Sequence, residues 1–313
     1  MTGTSARLSD GLTGAGGSRR SFERGERGPR RPVLWLLGGL DPTGGAGILR
    51  DVWTARALLP GAEVGAVVSA WTWQGGGAPA RAEGRPLGRI ADELAALPRP
   101  DAIKVGLVPA CLIDAGFVEL LEEVSAAAPI VVDPVLVATD GGELGARPEE
   151  LLGLARIAAL MTPNLGEATA LAGRAEGGEA EEVQLRRLGA LMGLAGPAWL
   201  LKGGHSGSAT EVVDRLWECG EVRAFRRPRR AGPDPRGTGC ALATAIAAGL
   251  ARRAGEVCAE CEAETPLAAA VREAIAWLDQ ARLRWRRGRD GRAHLPVGGS
   301  AAELRDTPSF SRG

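Results

Sequence analysis

The residues able to do chemistry stand out because this chain otherwise avoids their types. Of 38 basic residues only Lys104 and Lys202 are lysine, so arginine supplies the other 36, and Asn164 is the lone asparagine. In a composition drifting toward Arg, Ala and Gly, scarce types mark positions where chemistry overrules drift. The strongest motif is Gly237-Thr238-Gly239-Cys240, which opens an apolar, alanine-rich stretch. Successive backbone amides at a helix N-terminus form an anion hole that offsets the charge on a transferring phosphoryl group. Cys240 falls in the first turn, where the helix dipole lowers a thiol pKa and favours thiolate. A thiolate there accepts a proton from a substrate hydroxyl as that hydroxyl attacks phosphorus in line. The plainer alternative is a structural cysteine buried in the helix.

Other short segments join it. Lys202-Gly203-Gly204-His205 sets a compact cation where phosphates would lie, a charge that binds phosphate oxygens without demanding planar geometry. In Thr162-Pro163-Asn164-Leu165-Gly166-Glu167, Asn164 is either an ordinary helix cap or, with Glu167 three residues on, a partner in holding Mg²⁺ through waters. Lys104-Val105-Gly106-Leu107 places a lysine at a strand end, which a surface salt bridge explains equally well. In Trp71-Thr72-Trp73-Gln74-Gly75 an amide beside two indoles suits a small heteroaromatic, or simply ends a half-buried strand. The glycine-rich segment Gly38 to Gly47 lets backbone N–H groups approach a ligand and leads into a helix carrying Asp51. It lacks both the Gly-Lys-Ser/Thr ending of a phosphate-binding loop and the GxGxxG spacing.

These segments need a scaffold that brings loop ends together. Apolar or β-branched runs at Val33–Leu37, Val64–Ala70, Ala102–Val105, Ile130–Asp133, Ala158–Thr162 and Ala198–Lys202 read as strands. Helical patterns lie between them, at Ala46–Leu59, Ile90–Leu97, Ala110–Ala127, Leu165–Ala172 and Glu181–Leu194. That alternation predicts an α/β fold with a doubly wound, mostly parallel sheet and helices on both faces. Ligands of such sheets sit beyond the strands' carboxyl ends, where the segments above fall. Val212–Trp217 and Val222–Arg226 predict an edge hairpin about Cys219-Gly220. Helices follow at Gly237–Arg253 and Pro266–Arg286. The division expected is a Gly/Arg-rich tail at 1–31, one domain at 32–297 and a tail at 298–313.

Thirty-eight acidic residues cancel the basic ones, which leaves no global field to recruit nucleic acid or an anionic membrane. No apolar stretch reaches the ~20 uninterrupted residues of a membrane helix. Five scattered cysteines and no export signal predict reduced thiols in a cytoplasm, with Cys258 and Cys261 an incidental pair.

The ordered series Gly39-Leu-Asp-Pro-Thr-Gly-Gly-Ala-Gly-Ile48, Ile103-Lys-Val-Gly106, Val132-Asp-Pro-Val135, Thr162-Pro-Asn-Leu-Gly-Glu167, Lys202-Gly-Gly-His205 and Gly237-Thr-Gly-Cys240 resembles the hydroxymethylpyrimidine/phosphomethylpyrimidine kinases of thiamine biosynthesis. The likeness spans about Pro32 to Pro296. It implies a ribokinase-like fold, ATP and Mg²⁺, a homodimer, and two successive phosphorylations, of a pyrimidine hydroxymethyl group and then of its monophosphate. By the same likeness Asp51 and Gln74 contact the pyrimidine, with Gly39, Leu107 and Val135 nearby. Asn164, Glu167, Lys202 and His205 serve the nucleotide, with Asp133 a further metal candidate, and Cys240 is the base beside an anion hole at Gly237, Thr238 and Gly239. The chain departs from the family's usual pattern at Leu40, at Gly75-Gly76 and at Pro235-Arg236, where Thr-His usually precedes the glycine. Its alternatives are a pyridoxal kinase of the same family and a non-catalytic descendant that binds pyrimidine or nucleotide.

Overall fold

The run Val33 to Leu40 is apolar at both odd and even positions, and both sets are buried. A strand of that kind needs cover on each face. In the computed structural model it forms β1 (Val33–Leu40). Leu34 and Leu36 face one hydrophobic cluster with α1 (Gly47–Leu58), α8 (Thr238–Arg253) and α9 (Pro266–Arg282). Val33, Trp35 and Leu37 face a second cluster, with α2 (Leu87–Ala95), α3 (Ala110–Asp114), α4 (Phe117–Ser125), α5 (Pro148–Ile157), α6 (Leu165–Ala172) and α7 (Ala180–Met192). The structure describes residues 30–73, 80–125, 128–136, 145–173, 180–193, 196–204, 208–254, 264–288 and 290–297. The chain divides after Arg30, and all that follows concerns residues beyond it. The two predicted tails, apart from residues 30 and 31, and the Cys258/Cys261 pair lie outside the described residues.

The remaining main-sheet strands are β2 (Glu63–Trp73), β3 (Arg81–Gly84), β4 (Ala102–Val105), β5 (Ile130–Val132), β6 (Leu160–Met161), β7 (Ala198–Leu201), β8 (Glu211–Glu218) and β9 (Glu221–Pro228). Their order is β3-β2-β1-β4-β5-β6-β7-β8-β9. Pairing is parallel from β2 through β7 and antiparallel at β3, β8 and β9. The mostly parallel, doubly wound sheet is the expected one. The β8–β9 hairpin turns where expected, on Cys219 (φ 50°) and Gly220 (φ 89°), two left-handed residues that match the twist of the flanking strands. A small ribbon, β10 (Arg286–Arg287) with β11 (Ala293–His294), closes the described chain.

Four features differ from expectation, the first being that the helix predicted over Pro266–Arg286 ends at Arg282, with Arg286 in β10. The helix predicted over Ala110–Ala127 is broken into α3 and α4 at Gly116, whose φ of 99° no helix accommodates. Edge strand β3 and helix α5 were not anticipated. β3 reads Arg-Ala-Glu-Gly and owes its form to pairing with β2, whereas α5 begins with Pro148 and two glutamates, a helix-start signal overlooked in the sequence. Among the described residues no helix is long and apolar enough to cross a membrane.

Two details position the site. After β3 the chain returns to the other side of β1, so β1 has β2 on one flank and β4 on the other, which opens a crevice at their carboxyl ends. Helix α8 is buried along Ala241 to Gly249 and so lies between the sheet and α9, as an all-round apolar helix must.

Candidate active site

A cavity of about 610 Å³ opens over the carboxyl ends of the parallel strands, within the size range of small-ligand sites. Gly38 and Gly39 reach it from the end of β1, where a bulge between them shifts the register. Lys104 and Leu107 reach it from β4, and Asp133 and Val135 from β5.

The loops after β6 and β7 are clamped together by a backbone bridge between Asn164 and Lys202 and by the Lys202 amide donating to the Pro163 carbonyl at 2.9 Å. That clamp puts the Lys202 ammonium 2.8 Å from Asp133 Oδ1 and 3.6 Å from Glu167 Oε2. Burial works against the lysine charge, but Asp133 and Glu167 hold its pKa well above the ordinary value. Burial would raise the Asp133 carboxyl, yet Lys202 and Lys104 keep it below the usual range; Glu167, dominated by burial, is pushed up. Asn164 caps α6: its side chain accepts from the Glu167 amide at 2.9 Å, and Glu167 returns the bond to the Asn164 amide at 2.7 Å. The capping reading of Asn164 therefore holds, and both side chains still line the cavity.

Opposite them α8 begins. Gly237 has φ 77°, and a Cβ there would fall on the Gly45 carbonyl oxygen, so glycine is required on both counts. The first intrahelical bond is donated by Ala241 to the Gly237 carbonyl, 2.9 Å, and no side chain caps this end. The amides of Thr238, Gly239 and Cys240 are thus left without intrahelical acceptors, at residues that line the cavity. A Cβ on Gly239 would lie 3.4 Å from Lys202 Nζ and 3.5 Å from Asp133 Oδ2, so the helix start and the lysine–aspartate pair share one space.

Cys240 is half-buried at the cavity wall. The expected low thiol pKa is not what its surroundings produce. Burial, with the nearby Asp51 and Asp133 carboxylates, pushes the thiol up to about 11; Lys104 and the Gly47 backbone N–H pull the other way without prevailing. Desolvation and two anions outweigh the helix dipole, whose effect is typically below ~1 kcal/mol.

The glycine-rich loop corrects a second expectation. Asp41 takes the Thr43 amide at 3.0 Å and the Ala46 amide at 3.1 Å; its carbonyl takes Gly44, and the Thr43 hydroxyl takes Gly45 at 3.2 Å. Amides spent internally cannot cradle a ligand. Asp51 is the third correction. It is fully buried and not among the residues that line the cavity, with one oxygen 2.6 Å from Lys104 Nζ and the other accepting from the Thr244 hydroxyl at 2.9 Å, which also makes Lys104 a buried partner instead of a surface one. Gln74 and His205 lie outside the described residues, as do Gly75 and Gly76. Trp71 and Trp73 are exposed, with Arg81 stacked on Trp73 at 4.3 Å, and neither lines the cavity.

Other contributors escaped the sequence reading. Buried Arg50 donates to the carbonyls of Gly44 (3.4 Å), Leu295 (3.1 Å) and Pro296 (2.9 Å), which straps the chain after β11 onto the glycine-rich loop. Arg236, at the departing Pro235-Arg236 position, lines the cavity 3.2 Å from Asp41 and 3.8 Å from Asp290. Asp214 accepts the Gly203 amide at 2.7 Å and fixes the turn after Lys202. Its signal was present: an acid following Val212-Val213 in a strand breaks the pattern only for a reason.

The family described as phosphomethylpyrimidine kinase matches residues 41–297. A hydroxymethylpyrimidine/phosphomethylpyrimidine kinase of Streptomyces coelicolor is 36% identical over 233 residues, 71% of this chain and 81% of that protein. One from Rhizobium meliloti is 34% identical over 227 residues, 70% and 83%. Among solved structures, a phosphomethylpyrimidine kinase of Clostridium difficile 630 superposes with a TM-score of 0.59 at 26% identity, over 80% of this chain and 99% of that one. The pyridoxal kinase of Staphylococcus aureus in complex with AMP-PCP and pyridoxal superposes with 0.69 at 23% identity, over 86% and 94%, a likeness of fold. With its ribokinase-like sheet and a match across most of its length, the chain belongs to the phosphomethylpyrimidine kinase family.

Proposed function

We propose that this kinase transfers the γ-phosphoryl group of MgATP to the hydroxymethyl oxygen of 4-amino-5-hydroxymethyl-2-methylpyrimidine, and then a second one to the monophosphate. The observation that carries the reading is the sharing of one cavity by Lys202, Asp133 and Asn164 on one side and by the uncapped α8 amides with Cys240 on the other. In the first step the acceptor O–H loses its proton, a bond forms from that oxygen to the γ-phosphorus, and the bond to the bridging oxygen of ADP breaks. Lys202 holds phosphate oxygens, and the amides of Thr238, Gly239 and Cys240 offset charge on the moving group. The Cys240 thiolate receives the acceptor's proton. Gly39, Leu107 and Val135 supply the apolar wall for the ring. Gln74, His205 and Asp133 keep their proposed roles toward the ring, nucleotide and metal.

The donor set fits magnesium held through water. Among the described residues no group of three or more His, Cys, Asp or Glu is arranged to hold a bare ion, while Asp133, Asn164 and Glu167 line one cavity; magnesium keeps most of its waters and needs few protein ligands. When bound it would neutralise phosphate charge.

An ADP-release assay with the hydroxymethylpyrimidine, its monophosphate and pyridoxal as acceptors tests the reading. Turnover is expected with the first two, and Cys240→Ala should lose most of it. No turnover with either pyrimidine would overturn the substrate assignment; preference for pyridoxal would replace it.

A further inference from the structure

A lysine wholly removed from solvent lies under the cavity, and nothing in the phosphoryl transfer above uses it. Lys104 on β4 has 0% side-chain exposure, as does its partner Asp51 on α1, 2.6 Å away. The other oxygen of Asp51 accepts from Thr244, one turn beyond Cys240 and so on the same face of α8. The ion pair is therefore built against the helix face that carries the sulfur. Gly106 keeps room for it, since a Cβ there would come within 2.6 Å of Lys104 Nζ. Stability alone is a poor reason for such a pair, because the desolvation of two charges commonly cancels their attraction and apolar replacements serve as well.

The charged groups that act on the sulfur come from four elements: Arg50 and Asp51 on α1, Lys104 on β4, Asp133 after β5 and Lys202 after β7. Each of the three cations has anchors of its own, that of Lys104 being Asp51. Arg50 is spent on the carbonyls of Gly44, Leu295 and Pro296, and Lys202 on Asp133 and Glu167. Lys104 has the largest favourable influence on sulfur ionisation, and Cys240 and Asp133 in turn help Asp51 hold its ammonium charged against the cost of burial.

We infer that Lys104 is a positioning residue for Cys240: anchored by Asp51 and, through it, by Thr244, its ammonium stabilises the thiolate, while the Gly47 N–H completes the sulfur's surroundings. This rests on the part given to Cys240 in the proposed reaction, but the state of the sulfur is readable without any reaction. Lys104→Met removes the cation, and the Asp51 carboxyl, which burial already pushes up, takes a proton; the sulfur loses its main stabilising charge and the thiol becomes harder to ionise. Asp51→Asn removes the anion and leaves the cation, which makes it easier. A purely structural pair would shift both variants in one direction.

The experiment is iodoacetamide labelling of the full-length protein between pH 7 and 10, read by mass spectrometry of the Cys240 peptide, with the other four cysteines as internal references. At pH 8.5 Lys104→Met should label Cys240 about tenfold more slowly than wild type or worse, the equivalent of one pKa unit, and Asp51→Asn should label it faster. Equal-sign changes, or no change in either variant, overturn the inference. Should Lys104→Met not fold, Asp51→Asn decides alone: acceleration supports the role, and an unchanged or slower rate ends it. Opposite shifts in a protein that phosphorylates neither pyrimidine would retire the substrate assignment and leave the role of Lys104 standing.

Discussion

Gly237 and Gly239 stand two residues apart at the start of α8 and should fail in opposite ways when each receives a methyl group. Gly237 is left-handed, at φ 77°, and an added Cβ meets the Gly45 carbonyl oxygen and approaches Arg50 Cγ to 3.1 Å. The left-handed conformation costs an L-residue about 1–2 kcal/mol, and relief of the overlap costs roughly 1–3 kcal/mol more. The expected loss is thus about 2–5 kcal/mol, or about 5–15 °C in Tm for a domain of this size. Gly239 has an ordinary φ, and its Cβ meets the Lys202 ammonium at 3.4 Å and an Asp133 oxygen at 3.5 Å, both ordinary contacts. Gly239→Ala should therefore melt within about 2 °C of wild type, since Ala is the better helix former. Its methyl group, however, occupies the space between helix start and lysine that the moving phosphoryl group needs, and kcat should fall about 100-fold, as for loss or misplacement of one anion-hole donor. Thermal melts and ADP release on the two variants read both axes. If Gly237→Ala keeps its Tm, the left-handed start of α8 is wrong; if Gly239→Ala keeps its kcat, the phosphoryl group does not pass there.

Further outcomes follow from the same geometry. Because the free thiol of Cys240 sits at about 11, only about one molecule in a thousand is thiolate at pH 8. A thiolate-dependent kcat/KM must then climb close to tenfold per pH unit from 6.5 to 9, and a plateau in that window would remove Cys240 as the base in the free enzyme. Lys202→Met leaves buried Asp133 without its 2.8 Å partner; KM for ATP should rise and kcat should fall at least tenfold, measured by initial rates at saturating acceptor. Arg50→Met abandons three carbonyl acceptors at about 1.5–3 kcal/mol per charged hydrogen bond before relaxation. Melting should drop by at least 5 °C, and protease should cut the chain near 295 sooner.

What the sequence disclosed, and what it hid, divides along a physical line. Loops following runs of apolar residues were legible as one site because parallel pairing sends every carboxyl end to the same edge of a sheet; Lys104, Asp133, Asn164 and Lys202 share a cavity for that reason, and Cys240 joins them from α8, which follows the antiparallel β8–β9 hairpin. Periodicity locates an element without saying what its side chains meet across the core. Asp51 could therefore be placed on α1, but its commitment to Lys104 and Thr244 depends on β4 and α8 arriving from 53 and 193 residues away. The same limit produced the error over Cys240. The helix dipole is a local property and was visible, whereas the burial and the Asp51 and Asp133 charges that overrule it are tertiary. Scarcity proved a better guide than propensity: both lysines and the lone asparagine sit in the cavity wall, where a compact ammonium or an amide cannot be replaced by the arginine that fills the rest of the surface. Arginine does reach the cavity at Arg227, Arg282 and Arg236, the last of them beside the glycine-rich loop. The neighbour of Arg236, Asp41, organises that loop through the Thr43 and Ala46 amides, so the guanidinium acts on the site through that carboxylate. Arg236→Ala should then loosen the loop and raise KM for the acceptor more than KM for ATP.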